Sequence, residues 1–370
     1  MTDSVPPANI DTISQLLQLS GSQYRIYDIG RLVTKVPKEL FEKVELNQLP
    51  YPTPSQGHAF IAIAFWQKQS VQPYLWLLKM PLDERGLLNQ GARNHFIAII
   101  VEALGSDLTQ ETTKKQEDLL TSNPYLFTPA QYKLASLNSK IKVDLKQNPS
   151  EYLSPFLHYV SGEAGWDNWQ AVGVQGITDF VARIKQDNHS KLLLDALPYL
   201  PKEVLLPLCG ALENETLSVE LIDALLTLLK VQLKKQPKKM RVNDGDSTEN
   251  EQDISHNPQQ LSQHLLRALA ANMTHPHVTD FITLFLQQEH VYPEMLITLS
   301  GRCWPTLANN ILLMQYLEHL VNCEDMPLFN SIFKDLVAIP VIRPIIFQCM
   351  RAQNRSPALA QAIGQLFNQV

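Results

Sequence analysis

At 370 residues with 45% apolar side chains and a mean hydropathy of −0.13, the chain has material for a sizeable core and the balance of a globular protein. Its net charge of −6 does not favour a polyanionic partner. The longest strong apolar run, Ala59–Trp66, falls far short of the roughly 20 residues a membrane-spanning helix needs, so membrane insertion is not expected.

The charge is unevenly placed. Residues 1–105 and 106–241 are each neutral, so the deficit lies after Arg241, most of it in Asp244, Asp246, Glu249, Glu251 and Asp253. The N-terminal sequence MTDSVPPANIDTIS has neither the basic nor the apolar segment of a secretory signal. Cys209, Cys303, Cys323 and Cys349 show no paired spacing and read as reduced, buried thiols, which suits a cytoplasmic location.

In chain order, Asn9 or Asp11 can cap a short helix carrying Ile13, Leu16, Leu17 and Leu19, with Gly21 as its stop. Tyr24–Ile29 alternates as a strand, and Leu32–Val36 continues or pairs with it. Pro37 opens a second short helix over Lys38–Glu45, and the prolines between Leu49 and Pro54 impose an extended loop. His58–Trp66 is apolar on both faces, the mark of a central strand covered on both sides. Tyr74–Met80 follows after a short loop and predicts an antiparallel hairpin. After Pro81 the period becomes helical, with Leu88, Ala92, Phe96, Ile99 and Ala103 on one stripe that ends at Gly105.

Several words of this first region carry a resemblance: Tyr24-Arg-Ile-Tyr-Asp-Ile-Gly-Arg31, Pro50-Tyr-Pro52, Trp76-Leu-Leu-Lys79 and Pro81-Leu-Asp-Glu-Arg-Gly86. With them the chain resembles a gammaproteobacterial family, domain of unknown function family 3549, over its whole length. The resemblance implies a cytoplasmic bacterial protein of about this size. It brings no activity and no catalytic residue.

Beyond Gly105 the pattern is one amphipathic helix after another, punctuated by Asn123-Pro124, Asn148-Pro149 and Leu200-Pro201, with a single helix read over Asn168–Gln186. The stretch Pro237–Asn257 is polar and acidic and reads as a disordered linker, with first proteolytic cuts expected at Lys238, Lys239 or Arg241. From Pro258, helix pairs begin near residues 258, 292 and 325, a recurrence that points to stacked pairs. The tetratricopeptide and ankyrin signatures are absent, so a HEAT-like array is expected, with an irregular helical bundle as the alternative. The organisation read from sequence is an α+β domain over 1–105 (an antiparallel sheet with helices), a helical region over 106–236, the linker over 237–257 and a helical-repeat region over 258–370.

Candidate sites are few. Asp83-Glu84-Arg85 offers an acid, a base and an anion clamp at a helix mouth, with Asn89 and Gln90 beyond it; the competing role of Asp83 is to cap that helix. Trp166 and Trp169 sit in an aromatic stretch with Tyr152, Phe156 and Tyr159 and are candidate partner contacts. His275-Pro-His277 lacks the third and fourth ligands of a zinc site. Gly173-Val-Gln-Gly176 follows no strand and reads as a helix-packing pair rather than a phosphate loop. Lys230, Lys234, Lys235, Lys238, Lys239 and Arg241 form a basic run without interleaved aromatics, directly followed by the acidic stretch.

No catalytic, cofactor-binding or metal-binding residue is assigned, and no nucleophile elbow or P-loop is present. The favoured reading is a cytoplasmic, non-enzymatic interaction or adaptor protein with a protein partner. The alternatives are an enzyme or small-molecule binder with a pocket between the sheet and the first helices, and a weak nucleic-acid binder. The oligomeric state is not written in the sequence.

Overall fold

The computed structural model describes residues 10–67, 72–105, 108, 113–186, 188–235 and 258–367. The expected linker over 237–257 lies outside them. An N-terminal antiparallel sheet with helices precedes a long run of helices. The chain divides into two compact units. One comprises the chain up to Lys133 together with Phe333–Pro344, and the other comprises Leu134–Ile332 and the chain from Ile345 onward.

In the first unit, α1 (Ile13–Leu19), β1 (Gln23–Asp28), β2 (Thr34–Val36) and α2 (Lys38–Glu45) lead to the hairpin of β3 (His58–Trp66) and β4 (Tyr74–Pro81). The sheet order is β2-β1-β3-β4, antiparallel throughout, so β3 is internal as its doubly apolar sequence requires. Ile26 pairs with Ile63 and Ile63 with Trp76, which aligns one apolar face across the strands. On it Phe65 meets Trp76 at 4.4 Å between ring centres, and Trp76 meets Phe96 edge-on at 5.4 Å. Phe96 belongs to α3 (Gln90–Leu104), which covers this face with α1 and α2.

The cap of α1 differs from the sequence reading, which offered Asn9 or Asp11. Thr12, in extended conformation, is the cap of α1; its hydroxyl accepts the Gln15 N–H at 3.0 Å, while Asp11 donates its own N–H to the Gln15 side chain. The buried Glu45 carboxylate then takes the Ile13 and Ser14 N–H groups at 2.6 and 3.1 Å. Arg93 and Gln90 of α3 both donate to the Glu45 carbonyl, so one residue ties three helices.

The first unit runs past the change of pattern at Gly105. α4 (Lys114–Thr121) packs on α3, and Tyr125 and Phe127 exchange backbone hydrogen bonds with Lys79 and Leu77 at the free edge of β4. Leu119, Leu120 and Leu126 add to the same apolar core. The late segment Phe333–Pro344 belongs here too: Asp335 bonds Arg31 at 2.6 Å and the Gln56 N–H at 3.2 Å.

The remaining helices are α5 (Gln131–Asp144), α6 (Leu153–Val160), α7 (Val174–Val181), α8 (His189–Ala196), α9 (Lys202–Leu212) and α10 (Val219–Lys235), then α11 (Pro258–Ala268), α12 (Pro276–Leu286) and α13 (Pro293–Gly301). They are followed by α14 (Asn310–Val321), α15 (Met326–Ala338), α16 (Arg343–Arg351) and α17 (Pro357–Phe367). In the second unit α7 to α14 form two rows. α7 packs on α9, α9 on α11 and α11 on α13; α8 packs on α10, α10 on α12 and α12 on α14. The odd-numbered starts at Pro258, Pro293 and Met326 carry the recurrence seen in the sequence. Proline is compatible with the first helical turn because that turn has no intrahelical acceptor for its missing N–H.

Three stacked helices of one row share a buried charge. Glu213, at the end of α9, has a fully buried side chain. Arg267 of α11 grips it through Nε and Nη2, and Arg302, just after α13, reaches it at 3.3 Å.

Candidate functional site

The Asp83–Gly86 segment is a turn rather than a helix mouth. The Asp83 carboxylate accepts the Arg85 N–H at 2.9 Å and the Leu87 N–H at 2.8 Å, and pairs with the Arg85 guanidinium at 3.1 Å. Burial opposes its ionisation, but these donors together outweigh it and hold its carboxyl below the usual carboxylate range. The helix cap is Asn89, whose side chain accepts the Ala92 N–H at 2.9 Å. The capping role expected of Asp83 thus falls to Asn89, because the chain makes a hydrogen-bonded turn at Asp83–Gly86 before α3 begins. Glu84 and Arg85 present their carbonyls to Arg343, whose guanidinium donates to them at 3.3 and 3.2 Å. Arg343 also donates from Nε to the Val337 carbonyl at 2.8 Å, so the turn fixes Phe333–Pro344 within the first unit.

A second polar constellation was not singled out by sequence. Asp28 ends the row Tyr24, Ile26, Asp28 on one face of β1 and is almost fully buried. Its carboxylate accepts from the Tyr51 hydroxyl, from Thr53 Oγ1 at 2.6 Å and from the Gly30 N–H at 3.1 Å. Burial raises the Asp28 pKa against these donors, and burial followed by the Asp28 charge pushes the Tyr51 phenol well above its ordinary value. Lys133 donates to the Ile29 and Gly30 carbonyls, and Arg31 donates to the Pro54 carbonyl at 2.9 Å. Every one of these groups therefore meets a partner inside the unit.

Trp166 and Trp169 lie in a short 3₁₀ turn, Trp166–Ala171; the single helix expected over Asn168–Gln186 is interrupted, because Val172 and Gly173 are extended and α7 begins only at Val174. Gly162 and Gly165 have φ of +82° and +78°, a backbone region that L side chains rarely adopt. A Cβ on Gly162 would stand 3.1 Å from the Trp166 ring, so glycine lets the indole lie against the turn. Tyr159 abuts the indole edge-on and donates its hydroxyl to the Trp166 carbonyl at 3.0 Å. On the indole stacks Tyr199, 5.3 Å away and within 10° of parallel. Tyr152 faces the glycines of α7: a Cβ on Gly176 would come within 2.3 Å of the Tyr152 carbonyl oxygen. Gly176 thus permits close packing of α6 and α7, whereas a Cβ on Gly173 would make an ordinary contact.

The other residues weighed in the sequence fall apart in space or into structural roles. His277 pairs with Asp223 at 2.6 Å, and His275 lies edge-on to it. Among the described residues no group of three or more His, Cys, Asp or Glu is placed to hold a metal ion. All four cysteines are free thiols; burial pushes Cys209 up to about 12 and Cys349 up to about 11, and raises Cys303 further. Lys230, Lys234 and Lys235 are exposed near the end of α10, and the rest of the basic run lies outside the described residues. No described helix is long and apolar enough to cross a membrane. No curated protein and no solved structure matches the chain. A family model does match residues 8–367, and the chain belongs to that family, Protein of unknown function (DUF3549).

Proposed function

We propose that the protein is a non-enzymatic interaction protein of the bacterial cytoplasm, working through a HEAT-like array that offers a protein partner the row α8, α10, α12 and α14. The observation that carries this reading is the two-row stacking of the second unit together with what that row exposes. Val219 and Val231 on α10, Leu284 on α12 and Ile311 on α14 all face solvent, and Ile311 is 70% exposed. Stacked helices build extended surfaces of this kind, and apolar side chains left on them gain by burial against a partner. The buried acids support it further: the carboxylates of Asp28, Asp179 and Glu213 are engaged by side chains and backbone of their own unit.

The test is affinity capture from the native bacterium with the wild-type chain and with Leu284→Asp/Ile311→Asp as matched baits. A partner held by the wild type in moderate salt and lost by the double variant, with an unchanged circular dichroism spectrum, fits the proposal. A partner retained equally by both baits overturns it.

A further inference from the structure

The Trp166–Tyr199 stack is the least economical feature of the second unit. Tyr199 is 61% exposed, more than any other large aromatic described. Its ring is nonetheless held in place. Tyr199 sits in a short 3₁₀ turn, Leu197–Tyr199, with Pro198 and Pro201 on either side, and both prolines fix φ. The indole beneath it is fixed by Gly162, by the edge of Tyr159 and by the hydrogen bond to its carbonyl. The two rings are nearly parallel, so the outer face of Tyr199 is an open, pre-ordered π surface.

The exposed charges that flank it in the chain are acidic. Asp167 follows Trp166 directly, and Glu203 stands four residues beyond Tyr199 in the first turn of α9; both are exposed. After burial, these two carboxylates are what raises the Tyr159 phenol, so their field reaches the stack. Glu163 in the same loop is exposed and already paired with His158 at 2.8 Å, and Lys202 is only half exposed. A π face beside exposed carboxylates attracts cations and repels phosphates.

We propose that this stack seats an arginine side chain on an extended basic segment of the protein partner. A guanidinium lies flat on the outer face of Tyr199 and turns its N–H edge to Asp167 and Glu203, geometry a lysine ammonium does not match. The inference rests on the reading that the protein binds a protein partner, but it concerns a different surface from Leu284 and Ile311, so either can fail alone.

Fluorescence anisotropy of the full chain with a dye-labelled Gly-Pro-Arg repeat peptide tests it, with the neutral citrulline peptide and a single-stranded oligonucleotide as rivals. The arginine peptide should bind at least about 10-fold tighter than either. Tyr199→Phe should retain that affinity, and Tyr199→Ala and Asp167→Asn/Glu203→Gln should each lose about 10-fold with thermal unfolding unchanged. Equal binding of the citrulline peptide, tighter binding of the oligonucleotide, equal losses in Tyr199→Phe and Tyr199→Ala, or no binding of the arginine peptide would each overturn the proposal.

Discussion

Replacing Glu213 by glutamine tests what holds the stacked helices together. The carboxylate has no solvent exposure, so its attraction to Arg267 and Arg302 is weakly screened. The two guanidinium groups keep 18% and 23% exposure, so each regains part of its hydration when the acid is lost. Removing one partner of a fully buried pair costs about 3–5 kcal/mol; partial exposure of the arginines lowers this to about 2–4 kcal/mol. Arg302→Ala removes the 3.3 Å contact made by a partly exposed guanidinium and should cost roughly 1 kcal/mol. Exchanging all three residues for apolar side chains of similar volume should recover most of the loss, since desolvation of the charges disappears with them. Urea unfolding followed by hydrogen exchange in α9, α11 and α13 reports this transition without assuming that both units unfold together. A Glu213→Gln variant within about 0.5 kcal/mol of wild type would show that this buried charge does not hold the stack together.

Three further outcomes follow from particular contacts. Gly176→Ala places a methyl group 2.3 Å from the Tyr152 carbonyl oxygen, and should destabilise the second unit by about 2–3 kcal/mol in denaturant titrations. Asn89→Ala removes the cap of α3 and should cost about 1 kcal/mol, with a larger fall in melting temperature than Asp83→Ala, which opens an exposed turn. Burial would raise the Asp179 pKa, but hydrogen bonds from Ser150 and Ser139 prevail and lower it from 3.8. Its contribution to stability is therefore present above that value and lost as pH falls through the lowered one; Asp179→Asn should show a flatter acid limb than wild type in thermal melts.

Much of the fold is legible in local patterns. The doubly apolar His58–Trp66 run announces an internal strand, and prolines mark the starts of α11, α13 and α17. Where the reading departs from the structure, the cause is distance along the chain or an unusual backbone. Asp335 meets Arg31 across 304 residues, and nothing in the helical period of α15 signals that its last residues belong to the first unit. Asp28 gathers Tyr51 and Thr53 from a proline-rich loop whose path no periodicity predicts. The aromatic stretch around Trp166 is visible as composition, but its shape depends on two glycines with positive φ, and Tyr199 joins it from another turn.

The proposed partner surface is the row α8, α10, α12 and α14. Hydrogen exchange of the protein with and without its captured partner tests this most directly. Added protection is expected in α10, α12 and α14, the helices that carry Val219, Val231, Leu284 and Ile311, and it should persist in moderate salt because apolar burial is not screened. Protection confined to the sheet unit, or absent from all three helices, would contradict it.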